Sequence, residues 1–227
     1  TPKPSSAASD VYKRQPFEFK SLVNGKDTLV GADIELAKAI GKKLGVKVEF
    51  SVMSFDNVLA SVQSGKADIA IAGISVTDER KKVYDFSDSY YTSENVVIVK
   101  KDKVNDFTSA DSLAKQTVGT QKGSVQETIA KKQLSKASVV SLASNGEMIN
   151  ELKSGQIQAV VLEKAIAEGY IAQNDDLTLA SFNLKSDSSD AYAVAIRKGS
   201  DDLLKEINAV IKETKESGKF DQWLKEA

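Results

Sequence analysis

The stretch that decides the fold is NVLASVQSGKADIAIAG, residues 57–73, and a similar stretch, EMINELKSGQIQAVVLE, follows at residues 147–163. In each stretch, apolar residues at helical spacing lead to Ser-Gly and then to a short apolar run. This order predicts a helix, a turn and a buried strand. The two stretches share a pattern rather than identities. The likeness therefore indicates either two similar α/β lobes or two unrelated units of a common kind.

The segments on either side of these stretches also alternate between strand and helix patterns. An apolar stripe from Leu36 to Leu44 predicts a helix that ends at Gly45, and a later stripe predicts a helix over residues 201–215. Further strands are predicted at residues 46–52, 96–100, 117–121, 139–142 and 191–198. Alternation of strands with helices is typical of α/β proteins whose sheets are mostly parallel.

The composition excludes several classes of function. The 227 residues include no cysteine and no histidine, so disulfides, thiolate chemistry and imidazole-based hydrolytic triads are excluded, and no metal or other cofactor is predicted. The 31 basic and 32 acidic side chains give a formal net charge of −1, so nucleic acid is not an expected partner. The chain also lacks the apolar run of roughly 18 residues or more that a membrane helix needs.

The first fifteen residues differ from the rest of the chain. They contain two of the three prolines and no apolar periodicity. We therefore interpret residues 1–15 as a non-native or disordered segment, and we expect the fold to start near Pro16.

The densest group of candidate binding residues follows the apolar run of residues 67–72. Gly73 and Ser75 come just after this predicted strand, and Thr77 can cap a short helix that carries Arg80. An arginine beside small hydroxyl residues and main-chain amides suits bidentate capture of a carboxylate. The alternative is that Arg80 only pairs with Asp78, Glu79 or Asp85 on a solvated face.

A second group of candidates lies in the later half of the chain. Ser124 and Val125 follow a predicted strand and open a helix, whose amide groups can bind an anion. Glu163 ends a very apolar strand, where a carboxylate is costly unless it meets a cation; the alternative is a structural ion pair with Lys164. Phe55, in the earlier half, is either one wall of a binding slot or a core residue at a helix start. An anion clamp, a carboxylate and an aromatic wall together suit a zwitterion, and no pair of nucleophile and base accompanies them.

Several motifs in order resemble the extracellular solute-binding proteins of polar amino-acid ABC importers (family 3 type). The motifs are Pro16-Phe-Glu-Phe, Gly31-Ala-Asp-Ile-Glu-Leu-Ala-Lys-Ala-Ile, Ala72-Gly-Ile-Ser-Val-Thr-Asp-Glu-Arg-Lys-Lys, Tyr84-Asp-Phe-Ser-Asp-Ser-Tyr-Tyr, Val118-Gly-Thr-Gln-Lys-Gly-Ser and Tyr192-Ala-Val-Ala-Ile-Arg-Lys-Gly. The resemblance covers about residues 16–227. It implies an α/β periplasmic-binding-protein fold of two lobes, each with a mostly parallel sheet flanked by helices, joined by two hinge strands. Lobe one would hold residues 16–92 and 189–227, lobe two residues 93–188, and the crossings would fall near residues 91–95 and 186–190.

The resemblance also implies a role for each candidate residue. Arg80 and Ser75, with the amides around Ser124 and Val125, would bind the α-carboxylate of an amino acid. Glu163 would take the α-ammonium together with the Gly73 carbonyl. Phe55 would form one wall of the side-chain slot, and Phe17, Gln121 and Glu18 would complete its surroundings.

The resemblance has one departure, at the start of the chain. Family members begin with a buried strand and carry an aromatic residue two positions before the Pro-Phe pair, and Arg14 stands at that position here. Either Tyr12 substitutes for the aromatic, or the native first strand has been lost and replaced, which would leave lobe one without a central strand.

The function that the resemblance implies is capture of a free amino acid in the cleft between the lobes, for delivery to an ABC-transporter permease. A basic ligand such as arginine or lysine is favoured, with glutamine next. The implied protein is a monomer outside the cytoplasm, either periplasmic or a cell-surface lipoprotein whose lipid anchor would be its only membrane contact. An enzyme of the same fold, such as a cyclohexadienyl-type dehydratase, and a sensor ligand-binding domain are the alternatives.

Overall fold

The computed structural model describes residues 5–10, 14–185 and 190–227. The chain divides into two compact units, unit 1 with Thr1–Thr92 and Ser188–Ala227, and unit 2 with Ser93–Asp187. The predicted lobe limits, 16–92 with 189–227 and 93–188, differ from these at the N-terminal end and by one residue at the second crossing. The exact residues at which one lobe ends and the other begins therefore stay predictions. The second predicted crossing includes residues 186–189, which lie outside the described residues.

The first part of unit 1 begins with strands and then alternates. Its elements are β1 (Ser5–Asp10), β2 (Phe19–Val23), β3 (Lys26–Val30), α1 (Ala32–Leu44), β4 (Val48–Met53), α2 (Phe55–Gln63), β5 (Ile69–Ala70), α3 (Asp78–Val83), β6 (Tyr84–Phe86) and β7 (Tyr91–Thr92). The predicted first helix is confirmed, and it ends at Gly45, whose φ of 66° is left-handed. The buried strand predicted over residues 67–73 is shorter, because only two of its residues pair in the sheet.

Unit 2 repeats the alternation. It contains β8 (Asn95–Lys100), two short 3-10 helices (Lys101–Lys103 and Ala110–Leu113), β9 (Thr117–Gln121), α4 (Val125–Gln133), β10 (Ser138–Leu142), α5 (Asn145–Ser154), β11 (Ala159–Glu163), α6 (Lys164–Ala172) and β12 (Leu177–Leu179). The strands predicted at residues 117–121 and 159–163 are confirmed at both ends. Helix α6 and strand β12 were not predicted.

The chain then returns to unit 1 with β13 (Ala191–Tyr192), β14 (Ala195–Arg197), α7 (Asp201–Glu216) and α8 (Lys219–Glu226). The single strand predicted over residues 191–198 is thus divided in two. The two C-terminal helices pack on α1. Among the described residues, none of the helices combines the length and the apolar content of a membrane span.

The two main sheets have the same topology. The strand order is β4-β1-β5-β14-β6 in unit 1 and β10-β9-β11-β8-β12 in unit 2. In each sheet the fourth strand in this order pairs antiparallel with both neighbours and the other pairs are parallel. Residues 57–73 and 147–163 form α2 with β5 and α5 with β11, and both strands occupy the middle of their sheets. The fold is therefore two α/β lobes of one design, which confirms the predicted class.

Strand β1 corrects the expectation that residues 1–15 lie outside the fold. Residues Ser5–Asp10 pair in parallel with β4 over six positions and with β5 over two, so unit 1 has a strand where the sequence suggested a loss. Serine and alanine have low strand propensity and gave no signal, whereas a main-chain ladder forms whatever the side chains are. Residues 1–4 and 11–13, including Tyr12, lie outside the described residues.

Candidate functional site

In unit 1 the candidate residues lie where the chain leaves β5. Gly73 has a φ of 55°, and a Cβ there would lie 3.0 Å from Tyr192 Cε2 and 3.1 Å from Arg14 Nη2. Its N–H donates to Asp33 Oδ2 at 2.8 Å. Glycine is needed at this position because the backbone is left-handed and two large side chains close the space above it.

Ser75 and Arg80 are joined by a hydrogen bond. Thr77 caps the short helix α3 by accepting from the Arg80 N–H at 3.2 Å, and Arg80 Nη1 donates to the Ser75 carbonyl at 2.8 Å. A guanidinium carries five N–H donors, so a bond to a main-chain carbonyl can orient it for bidentate capture of a carboxylate. The structure therefore brings Gly73, Ser75 and Arg80 together, as the sequence predicted.

The electrostatics of Arg80 are unusual for an arginine. Burial and, to a smaller extent, the nearby positive charge of Arg14 lower its pKa to about 10, against the opposite influence of Tyr192 and Tyr84. Two of the alternative partners lie against lysines instead, with Asp78 3.8 Å from Lys81 and Asp85 3.3 Å from Lys198. A desolvated guanidinium with a shifted pKa is typical of a binding site rather than of a solvated surface pair.

Phe55 opens helix α2 and is nearly buried, with 5 % of its surface exposed. Its ring packs in the apolar cluster that also contains Val58, Ala72 and Ile74. The guanidinium carbon of Arg14 lies over the ring, 4.6 Å from the centroid. Phe55 thus belongs to the core, and its ring face contacts the guanidinium of Arg14. Its role as one wall of a binding slot stays a prediction.

Phe17 lies in a different environment. Its ring is completely buried and makes edge contacts with Tyr91 and Tyr192, with centroid distances of 5.0 and 5.5 Å. Its carbonyl accepts from the Asp33 N–H at the start of α1. These contacts indicate a supporting position in the aromatic cluster, and a direct contact of Phe17 with a ligand stays a prediction.

Asp33 is a buried acid of this region that was not predicted as a site residue. Its side chain is 1 % exposed, and its Oδ2 accepts from the Gly73 N–H and from the Tyr90 hydroxyl, at 2.8 and 3.2 Å. Burial raises the pKa of Asp33, outweighing Glu18, the Gly73 and Tyr90 hydrogen bonds and the charge of Arg14, which all lower it. The carboxyl thereby fixes the Gly73 backbone.

This shift predicts a pH-dependent effect of Asp33→Asn. A carboxyl whose pKa is raised on folding stabilises the fold at low pH, and this contribution is lost as the pH rises from 3.8 through the folded value. The asparagine oxygen can still accept from Gly73 and Tyr90, but it carries no charge. We expect the melting temperature of Asp33→Asn relative to wild type to be higher at pH 7 than at pH 4. Asp27→Asn, at an exposed position, is the control, and a difference independent of pH would contradict the prediction.

In unit 2, helix α4 begins as predicted, and three main-chain N–H groups around its start, those of Gly123, Ser124 and Glu127, already have partners. The Ser124 hydroxyl accepts from the Glu127 N–H, and the Ser124 N–H donates to the Gln121 carbonyl at 3.1 Å. The Gly123 N–H donates to the Glu127 carboxylate at 3.0 Å. The Glu127 carboxylate thus occupies part of the anion site that the sequence predicted here. The roles of Gln121, Ser124 and Val125 in ligand binding stay predictions.

Glu163 ends β11 and is also the N-cap of α6. Its Oε2 accepts from the Ala165 and Ile166 N–H groups at 2.8 and 3.2 Å, and the residue is 1 % exposed. Lys164, the partner in the alternative interpretation, has its Nζ 2.8 Å from Glu94 Oε2. Main-chain donors therefore compensate a good part of the cost of burying this carboxylate.

The carboxyl ends of β9 and β11 meet at one edge of the unit 2 sheet, because the two strands are parallel neighbours. Gln121 and Glu163 are the last residues of these strands. A cavity of about 470 Å³ lies near the opposite ends, at Phe107, Ile157 and Gln158. In open α/β sheets ligands bind outside the carboxyl ends of the strands, so the edge with Gln121 and Glu163 is the better candidate.

Arg14 is the residue at this site that sequence reasoning placed wrongly. It was noted only as standing at an aromatic position, in a segment thought to lie outside the fold. In the structure it is 2 % exposed and lies beside Phe55, Gly73 and Glu18. The charged residue just before the Pro16-Phe17 pair was the available signal.

Comparison with known proteins gives a consistent result. Residues 11–226 match the model of the bacterial extracellular solute-binding proteins, family 3. The arginine-binding extracellular protein ArtP of Bacillus subtilis (strain 168) is 34 % identical over 210 residues, which cover 92 % of this chain and 80 % of ArtP.

Solved structures agree closely with the fold. The amino acid ABC transporter substrate-binding protein AbpA of Streptococcus pneumoniae, bound to L-arginine, has a TM-score of 0.94 and 49 % identity, covering 98 % of this chain and 93 % of that one. An ancestral arginine-binding protein bound to glutamine has a TM-score of 0.88 and 38 % identity, covering 100 % and 98 %.

Proposed function

Because the chain belongs to the bacterial extracellular solute-binding proteins of family 3, we propose that it binds a free polar L-amino acid and delivers it to the permease of an ABC importer. Arg80 binds the α-carboxylate, and Glu163 binds the α-ammonium. The main support is Arg80 itself, which is oriented by the Ser75 carbonyl and desolvated enough to lower its pKa. A basic amino acid, arginine or lysine, is the first candidate, and glutamine is the second.

This function places the protein outside the cytoplasm, in the periplasm or on the cell surface. A lipid anchor and a monomeric state stay predictions. We propose no catalytic activity, because the acid that a dehydratase would need is Glu163. Two main-chain N–H groups already donate to its Oε2, an arrangement suited to a carboxylate rather than to a proton donor.

Isothermal titration calorimetry of the protein against the twenty L-amino acids tests the proposal. We expect saturable binding of at least one of arginine, lysine and glutamine, and no binding of L-malate, a diacid without an α-ammonium group. Absence of heat with all twenty amino acids would overturn the proposed function.

The variant Glu163→Gln distinguishes the role of this side chain as the N-cap of α6 from its proposed role in binding the α-ammonium. The glutamine oxygen can still cap α6, so we expect the melting temperature to change by no more than about 2 °C. The negative charge is lost, and since a hydrogen bond to a charged group contributes about 1.5–3 kcal/mol, we expect the affinity for the amino acid to fall about 10-fold or more. Glu168→Gln, at an exposed position of the same helix, is the control. Equal affinity of the Glu163→Gln variant and wild type would remove Glu163 from the site.

A further inference from the structure

A tight turn brings Arg14 into unit 1. The Arg14 N–H donates to the Glu18 carbonyl at 3.0 Å, and the Phe17 N–H donates to the Arg14 carbonyl at 2.8 Å. The side chain then extends into the protein, where its Nε lies 3.5 Å from Glu18 Oε1 and both side chains are at least 97 % buried. Main-chain hydrogen bonds therefore fix the Arg14 backbone, and the Glu18 carboxylate lies against its guanidinium.

The guanidinium lies among the candidate ligand-binding residues of unit 1. It covers the Phe55 ring at 4.6 Å, and its Nη2 lies 3.1 Å from the position that a Cβ of Gly73 would take. It is also close enough to Arg80 for its charge to contribute to the lowered pKa of that residue. Arg14 thus lies over the predicted aromatic wall, Phe55, and near the predicted carboxylate anchor, Arg80.

We propose that Arg14 is a built-in occupant of the side-chain slot and that it weakens the preference for a basic ligand that the family resemblance implies. Its guanidinium holds the place over the Phe55 face that a cationic side chain of a ligand would need. A cation gains from an aromatic face only within about 6 Å of the centroid, and Arg14 already lies there. Arg14 therefore disfavours arginine and lysine relative to an uncharged polar side chain such as that of glutamine. The inference rests on the proposed function.

The positive charges near Phe55 also disfavour a cationic ligand side chain at this position. Arg14 and Arg80 are both cationic, and Glu18 is the carboxylate paired with Arg14. A ligand cation over Phe55 would meet a second positive charge at close range in a region from which water is largely excluded, where like charges repel strongly. The resemblance to arginine-binding proteins favours a basic ligand, and Arg14 is the feature of this chain that opposes it.

Arg14→Met removes the charge and the planar group but keeps an apolar stem of similar length. We measure the affinities for L-arginine and L-glutamine by calorimetry in wild type, Arg14→Met and Arg197→Met. We expect Arg14→Met to shift the affinity ratio about 10-fold or more toward arginine. Arg197 is exposed in the same unit, and its replacement should leave the ratio unchanged. A ratio that moves less than twofold in Arg14→Met would overturn the proposal.

A second measurement does not depend on amino-acid binding. Arg14→Ala vacates the space over Phe55, and methylguanidinium should fill it. We expect this cation to raise the melting temperature of Arg14→Ala but not of wild type or of Arg14→Ala/Phe55→Leu. If Arg14→Ala is unfolded, methylguanidinium should refold it. No response of Arg14→Ala contradicts the occupant role, whereas a response without amino-acid binding by any variant contradicts only the proposed function.

Discussion

We expect Arg80→Gln to lose amino-acid binding while it keeps its fold. Truncating one member of a hydrogen-bonded charge pair costs about 2–5 kcal/mol of binding free energy, which corresponds to an increase in Kd of about 30- to 5,000-fold. Glutamine can still donate to the Ser75 carbonyl, so helix α3 should keep its position. Calorimetry with the ligand bound by wild type measures the loss.

The stability of Arg80→Gln should not fall. The pKa of Arg80 is lowered to about 10, mainly by burial, so the protonated side chain disfavours the folded state. This cost is fully present below about pH 10 and is relieved as the pH rises from there toward the ordinary pKa of an arginine. At pH 7 the melting temperature of Arg80→Gln should therefore equal or exceed that of wild type.

Lys81→Gln is the matched control for Arg80→Gln, because it removes one positive charge from an exposed position of the same helix. We expect its affinity for the ligand to stay within twofold of wild type. Equal losses in the two variants would mean that net charge, rather than the oriented guanidinium of Arg80, governs binding.

Gly31→Ala is expected to have the largest effect on stability. Gly31 has a φ of 120°, and a Cβ there would lie 2.2 Å from the Phe17 carbonyl oxygen and 2.6 Å from its carbon. The backbone would have to move apart where the Ala32 and Asp33 N–H groups donate to the Pro16 and Phe17 carbonyls. Backbone strain and lost hydrogen bonds together predict a loss of at least about 3 kcal/mol. This loss lowers the melting temperature by about 6–12 °C.

Gly45→Ala provides the comparison for Gly31→Ala. Gly45 also has a positive φ, of 66°, but no atom lies within 4 Å of the added Cβ. It should lose only about 1–2 kcal/mol, the cost of a left-handed backbone in a residue with a Cβ. Thermal unfolding followed by circular dichroism distinguishes the two variants. Equal losses of stability in Gly31→Ala and Gly45→Ala would show that the Phe17 carbonyl does not lie close enough to Gly31 to exclude a Cβ.

The elements of this fold were predictable where the pattern was local. The apolar stripe of α1 and the ends of β9 and β11 follow directly from residue types and spacing. Strand β1 was not predictable, because serine and alanine carry no strand signal and the pairing partners lie 43 or more positions away. Helix α6 was not predicted for another reason: its N-cap, Glu163, was interpreted as a ligand-binding carboxylate or as the ion-pair partner of Lys164, and not as a helix cap.

The candidate site was predictable in part. The grouping of Gly73, Ser75 and Arg80 follows from a strand, a loop and a short helix in immediate succession. The position of Arg14 does not, because it depends on a contact with Phe55, 41 residues later. The hydrogen bond from the Gly123 N–H to the Glu127 carboxylate depends on side-chain conformation, which the residue order at a helix start does not define.

The sheet order described above also determines the order in which the two units can assemble. Unit 2 is one continuous segment, so all its strands are available once the chain has been synthesised to β12. Unit 1 places β14 between β5 and β6, and its sheet cannot close until residues 195–197 have left the ribosome. During synthesis, β5 and β6 each present an unpaired edge while more than 100 residues are added, and such edges favour misassociation. Completion of unit 1 is therefore the late step of folding, and the edges of β5 and β6 are where a chaperone would protect the nascent chain.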